Sequence, residues 1–333
     1  MLPILSTYFG FVDYLNLFPS LTSNRPRLPE FTPRVIFFVI VCMFTAWPVP
    51  LSSEPVFPEG ASTSNLPIWL YESYKPTGDI RRFAGETLKF NIDFMIFSHA
   101  AESQISLYEE DGKLKCVLIG ETKGFVGFMT SYVKHVYRAT FDILDGGNRL
   151  QTSLFEREVI VEDKRERIVH AMDYHSRRHH YFQYKNGKLI NQRNDPLPEG
   201  DTIDDVLAAF YNFRNGVYGP VEKGMSHTVP TFQTKRLKED WTSTMVIQTL
   251  TETARKAFEE DKKVRPGASM LINIKVPSDL FETKEGIIYF WSSSHLVPTQ
   301  GIFKDFILFG DLDVTLTQRI SRQDQRKRGV KGQ

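Results

Sequence analysis

From Gly85 to Ile190 the chain changes polarity at nearly every second residue, and turn formers cut this alternation into strand-length pieces. Strands send successive side chains to opposite faces, so the pattern builds a sheet with one covered face. In residues 85–97, Leu88, Phe90, Ile92 and Phe94 share a face. Residues 100–108 read as a second strand, and EEDGK turns it into a third at 114–122. Gly124, Gly127 and the apolar FVGFM read as a loosening of the chain before the strand at 132–143. DGGN at 145–148 is a turn. Strands at 150–158, 165–174 and 177–184 follow, and Asn186-Gly187 turns into 188–190.

The period then changes. After the loop DPLPEGD at 195–201, apolar residues fall at 203, 206, 207, 210 and 213, which is helical spacing. A helix is expected over 203–214, capped by Thr202 and ended by Asn215-Gly216, with Asp204 and Asp205 suited to its positive first turn. Alternation resumes at 227–232, 241–250, 268–276, 286–292, 301–309 and 313–318. The charged stretch 251–261 reads as a helical insertion or an overlong hairpin. About a dozen strands with one central helix give a mainly β fold. The expected form is a curved antiparallel sheet or open β-barrel with the helix covering one face.

Composition agrees with a β class. The 333 residues include 26 Phe and 13 Tyr, and 41% are hydrophobic. The net charge is +1, unevenly spread, with 32 basic and 37 acidic residues in 54–317 and a basic tail at 318–333. A mildly acidic body excludes nucleic acid as the expected partner.

The stretch with the clearest bearing on location is VIFFVIVCMFTAW, residues 35–47, preceded by Arg25, Arg27 and Arg34. A membrane-spanning helix needs about 20 apolar residues, and this run is the length of a secretory signal core. No small-x-small cleavage site follows, so both a cleaved signal and an uncleaved N-terminal anchor stay open. Cys42 lies inside the run, and the body holds the single Cys116, which forms no disulfide with itself. The organisation read from these features is a leader over 1–53, a linker and lead-in over 54–83, one β-rich domain over 84–317 and a disordered basic tail over 318–333. The body is expected in the periplasm, free or held at the inner membrane through 35–47.

The order of several pieces resembles a bacterial exported family, domain-of-unknown-function family 3108. They are Gly85-Glu86 opening the first strand, VYRATFDIL at 136–144 and PLPEGDTIDDVLAAFYNFR at 196–214. IIYFWSSSHLVPTQ at 287–300 and Phe309-Gly310 complete the set. The resemblance covers about 84–317 and departs at Ser292–His295, where the family carries a more acidic turn. It implies export and no established activity. The strand–proline–strand unit is also similar to envelope lipoprotein carriers, which hold apolar cargo in a curved sheet.

No catalytic constellation is legible. SSSH at 292–295 lacks a nucleophile elbow, and Asp204-Asp205 serve a helix start more simply than acid–base chemistry. His170, His175, His179 and His180 form the one imidazole cluster. Cross-strand pairing is expected to bring His170 towards His180, and His175, His179 and His180 are the weak candidates for a metal. Arg177-Arg178 beside them opposes a cation, so the plainer reading is a solvated hairpin, and no cofactor is expected. The phenylalanines are the main candidate binding feature. Phe90, Phe94, Phe141, Phe210, Phe213, Phe290 and Phe306 could line a cavity for a lipid or acyl chain, or could simply pack sheet against helix. Phe125, Phe128, Phe303 and Phe309 extend the same stripe. The expected function is a non-enzymatic envelope protein binding an apolar ligand or an exported partner. The alternative is a structural or interaction protein with a solid core.

Overall fold

The computed structural model describes residues 78–321, apart from 201, 236–240, 261, 263, 265–266, 282–284 and 305–309. The described residues belong to one compact unit. The run 35–47, the leader, most of the linker and the tail beyond 321 lie outside them.

Among the described residues, fourteen strands form one antiparallel sheet in two meanders. The first holds β1 (Glu86–Phe94), β2 (Phe97–Glu110), β3 (Lys113–Thr122), β4 (Lys134–Leu144), β5 (Arg149–Val161), β6 (Lys164–Asp173), β7 (Arg178–Lys185) and β8 (Lys188–Pro196). Its two-residue turns use the chemistry that the sequence announces. Asp111-Gly112 and Asn186-Gly187 all take positive φ, which matches the right-handed twist of the flanking strands. The second meander holds β9 (Ser226–Phe232), β10 (Thr242–Thr249), β11 (Met270–Lys275), β12 (Ile287–Ser292), β13 (Pro298–Phe303) and β14 (Leu312–Ile320). The two join where β14 pairs with β1, so β8 and β9 are the free edges.

The sheet is strongly curved. β5 and β9 lie ten steps apart in strand order, about 48 Å in a flat sheet. Yet the rings of Phe155 and Phe232 meet at 5.3 Å. The sheet therefore folds over until its β9 edge packs on β5–β7, as an unclosed barrel. A bulge between Thr140 and Phe141 helps bend it. It shifts the inward phase of β5 by one residue, so Leu150 and Thr152 point in, then Phe155 and Arg157, while Leu154 is exposed.

Helix α2 (Val206–Arg214) lies in the crossover from β8 to β9. Its Leu207, Ala208, Ala209, Tyr211 and Phe213 belong to the main core together with strand residues such as Leu88, Phe141 and Ile272. The helix starts at Val206, not at 203. Ile203 is drawn into the core, and the amide of Asp204 donates to the carbonyl of Pro230 on β9, 3.0 Å away. That commits residues 203–204 to the sheet edge and makes Asp205, with extended backbone, the cap in place of Thr202.

Other elements depart from the expected plan. Residues 124–129 form a short helix, α1 (Gly124–Met129), where a loosened chain was expected. The stretch expected as helix or overlong hairpin is helix α3 (Glu252–Glu259), capped by Thr251. It covers a small cluster of Leu271, Trp291 and Ile302 on the outer face of the sheet. A further turn of helix, α4, spans Ser278–Phe281. A 3-10 turn at Ile80–Phe83 lies within the stretch expected as lead-in, yet buries Ile80 and Phe83 in the main core. β14 continues to Ile320, past the expected domain end at 317.

Candidate functional site

Three places concentrate chemistry: the seat of α2, a histidine pair at the seam of the folded sheet, and an apolar tip beside α1.

At the seat, α2 is fixed by charge at both ends. Asp205 accepts from the amides of Leu207 and Ala208 at 2.6 and 3.2 Å and from Thr152 Oγ1 at 2.6 Å. Burial raises its pKa to about 7, against the lowering effect of these donors. Asp204 Oδ2 accepts from Arg149 Nη2 at 2.9 Å, Asn212 Nδ2 at 3.2 Å and Tyr218 Oη at 2.6 Å. Burial raises this carboxyl too, opposed first by Arg149. Asn212 also clips β5 by bonding both the amide and the carbonyl of Leu150. At the other end Arg214 grips Glu86 through both guanidinium nitrogens, at 2.5 and 3.0 Å. Arg319 adds a bond to the same carboxylate at 2.7 Å. Burial would raise the Glu86 carboxyl, but Arg214 and then Arg319 outweigh it and hold it low. The Arg214 guanidinium also lies over the Phe83 ring at 4.6 Å. This network fixes the helix to β1 and β5 and, through Glu86, to β14. Asp205 serves the helix start as its cap, whereas Asp204, also expected to suit the first turn, bonds Arg149, Asn212 and Tyr218 instead.

The imidazoles pair differently from the expectation. The register sets His170 opposite Tyr181 and His180 opposite Ala171. His180 therefore points to the other face. It is His179, the diagonal neighbour, that reaches His170, with Nδ1 of His170 and Nε2 of His179 3.0 Å apart. Both rings are fully buried. His179 stacks on Trp241 at 3.8 Å and His170 on Phe232 at 4.3 Å, so the pair is part of the seam between β6–β7 and β9–β10. Burial, then the neighbouring His179, lowers the His170 pKa to about 3, so it is neutral in the fold. The trio His175, His179 and His180 is not assembled: His175 is exposed in the turn, while His179 and His180 face opposite ways. Among the described residues no group of three or more His, Cys, Asp or Glu side chains is disposed to hold a metal.

Of the seven candidate lining residues, Phe141 and Phe213 are buried in the main core, and Phe90, Phe210 and Phe290 pack against it. Phe94 ends β1 opposite Phe97, at the tip described next. Phe306 lies outside the described residues. Ser292 and Ser293 are buried, with the Ser293 amide bonded to the Val297 carbonyl in a turn.

The third place was not anticipated. Phe125 and Phe128, counted with the aromatic stripe, are more than half exposed. They lie on α1 with Met129, beside the β1–β2 turn that exposes Met95 and Ile96. The rings of Phe97 and Phe125 stack at 5.4 Å and join the two segments. Tyr132, whose ring lies at Gly127 of α1, is exposed as well.

No family model matches the chain, so the resemblance to family 3108 has no family match behind it. No curated protein matches it either. A crystal structure of a β-barrel-like protein of domain of unknown function DUF1849 from Brucella abortus is similar in shape. The likeness covers 72% of this chain and 98% of that one, at 9% identity and a TM-score of 0.41. A structure from Parabacteroides distasonis described as a "putative lipoprotein" is similar over 75% of this chain and 100% of that one, at 11% identity and a TM-score of 0.26. Neither likeness carries a functional assignment.

Proposed function

We propose that this chain is an exported, non-enzymatic protein of the cell envelope that acts through its outer surface, with the interior of its sheet solid. Export is supported by the apolar run at 35–47 behind Arg25, Arg27 and Arg34, and by the motif order that resembles an exported family. The observation that carries the surface reading is the seating of α2. Its buried face joins one packed cluster with both meanders, and five of the seven phenylalanines read as cavity candidates are spent in or against that cluster. A sheet interior filled by its own helix offers an acyl chain no place without moving α2. The charges that bind both ends of the helix oppose such movement. This favours the interaction protein over the apolar-ligand carrier.

Native mass spectrometry of the full chain, purified from membranes with mild detergent and offered phospholipid, tests the reading. The expected result is the bare polypeptide mass. A stoichiometric lipid that stays bound after detergent exchange and is lost in a Leu207→Trp variant would overturn it in favour of a carrier.

A further inference from the structure

The feature that the solid core leaves unexplained is the apolar tip. Hydrocarbon in a monomer is normally covered, and a contiguous exposed patch marks a surface that meets something. Here Met95 and Ile96 are 67% and 74% exposed, and Phe128 and Met129 are 69% and 63% exposed. Phe125 and Phe128 stand three residues apart on α1, with Met129 next to them, so they share one side of the helix. The Phe97–Phe125 stack ties that side to the β1–β2 turn.

The tip is built, not loose. Tyr132 lies across α1 at Gly127, where a Cβ would stand 2.7 Å from its ring, so only glycine admits the tyrosine there. The Tyr132 amide donates to the Gly127 carbonyl at 2.7 Å, and Thr130 Oγ1 donates to the Val126 carbonyl at 2.9 Å. Ser131 and Tyr132 both accept left-handed backbone, with φ of 58° and 51°, to make this turn. Such conformations persist only where the surroundings hold them. The scaffold thus keeps Phe128 and Met129 pointing outward when collapse would hide them.

The distribution of charge names the partner. Residues 94–98 and 124–133 contain no ionisable acid or base except the phenol of Tyr132. The second of these segments is bracketed by Lys123 and Lys134. Lys123 is partly exposed beside Glu121 and Glu102, at 3.3 and 3.9 Å. Lys134 makes no ion pair among the described residues. The acids at the base are engaged locally. Asp93 accepts from Asn91 Nδ2 at 2.8 Å and the His99 amide at 2.7 Å, and Glu102 pairs with His99 at 2.6 Å. An uncharged apex of Phe, Met, Ile and Tyr with lysines at its margin suits a lipid interface. The acyl region accepts irregular apolar side chains without demanding a matching shape, and headgroup phosphates lie at the level of the lysines. The exposed hydroxyls at the apex, Ser98, Thr130 and Tyr132, carry no charge and sit as readily among headgroups as in water.

We infer that the tip formed by the β1–β2 turn, α1 and Tyr132 inserts into the surface of a phospholipid membrane, with Lys123 and Lys134 at the headgroups. This rests on the reading of the protein as one that acts through its surface. The run 35–47 alone would bring the full chain to vesicles, so the test must read depth at the tip. A Phe128→Cys variant of the full chain, with Cys42→Ser and Cys116→Ala, carries an environment-sensitive fluorophore. The control label sits at Glu109→Cys, on the other end of β2. With vesicles of phosphatidylethanolamine and phosphatidylglycerol, the tip label is expected to shift to the blue and to be quenched by brominated acyl chains, while the Glu109 label does neither. Adding Phe125→Ser and Met129→Ser should abolish the shift. An unchanged tip label in the presence of vesicles overturns the inference. So does a shift that appears on concentrating the protein without lipid, which would name a second copy as the occupant. Either failure leaves the solid-core reading standing, because that reading fails only if native mass spectrometry finds retained lipid.

Discussion

The seat of α2 buries charge, and the tip beside α1 exposes hydrocarbon. Both invert the usual distribution, and they differ in how the inversion is supported. At the seat, the carboxylate of Glu86 meets two guanidiniums, while Asp204 and Asp205 each accept several hydrogen bonds. At Glu86 the two guanidiniums outweigh the cost of desolvation, while at Asp204 and Asp205 the donors offset part of it, so the support comes from inside the molecule. At the tip, Phe128, Met129 and Ile96 gain nothing from the fold that displays them. The seat explains why the molecule holds together, and the tip asks for something outside it.

Four measurements would break or sharpen that contrast. The largest effect is expected from Arg214→Met. It leaves Glu86 buried with one guanidinium, and urea unfolding should show a loss of about 3–5 kcal/mol. Adding Glu86→Gln should deepen the loss, because Arg319 then also loses the carboxylate that it bonds. A smaller loss, about 3 kcal/mol, is expected for Leu207→Ala, which opens a cavity between the helix and the sheet. A Leu207→Ala variant as stable as wild type would show that α2 is not the packed centre described above.

The third measurement is stability against pH. The folded pKa of His170 lies near 3, below its unfolded value of 6.5, so its contribution is full above pH 6.5 and is lost as pH falls towards 3. Asp205 has the opposite sign. Its folded pKa near 7 stands above its unfolded 3.8, so stability is lost as pH rises between those values. The two partly cancel between pH 4 and 6.5. His170→Phe should flatten the fall in melting temperature on the acid side, and Asp205→Asn should steepen it. The smallest effect belongs to the tip. Phe128→Ser with Met129→Ser should change stability by less than about 1 kcal/mol, since both side chains are largely in water. A larger loss would mean that the tip is part of the core and would remove the contrast.

The alternation of polarity made the sheet legible, because a strand that covers a core must write that core into every second residue. The strands at 85–97, 114–122 and 165–174 stand close to β1, β3 and β6 for that reason. The start of α2 was misplaced because apolar Ile203 fits the helical spacing, but the sheet edge takes it first. The six residues of α1 carry two glycines and too few turns to display a period. Only Tyr132, packing at Gly127, makes that helix visible. The phenylalanine count pointed to a core and hid the tip, since a sequence does not say which of two apolar faces is covered. The histidine pairing failed by a single residue, because a slip of one in register sends a side chain to the opposite face.

The junction of β1 with β14 has a consequence for assembly. The contact between Glu86 and Arg319 spans 233 positions of chain. The centre of the sheet is thus closed by the strands most distant in sequence, while every other pair of adjacent strands is consecutive in sequence. The first meander can form early from local hairpins, but β1 stays an open edge until β14 arrives. Loop closure over such a distance is slow. Until it happens, the backbone groups of β1 are available to any other extended segment. The step that completes the fold is therefore also the one that removes its most exposed templating edge. Variants that weaken the β1–β14 junction should reveal themselves first as slow or aggregation-prone refolding.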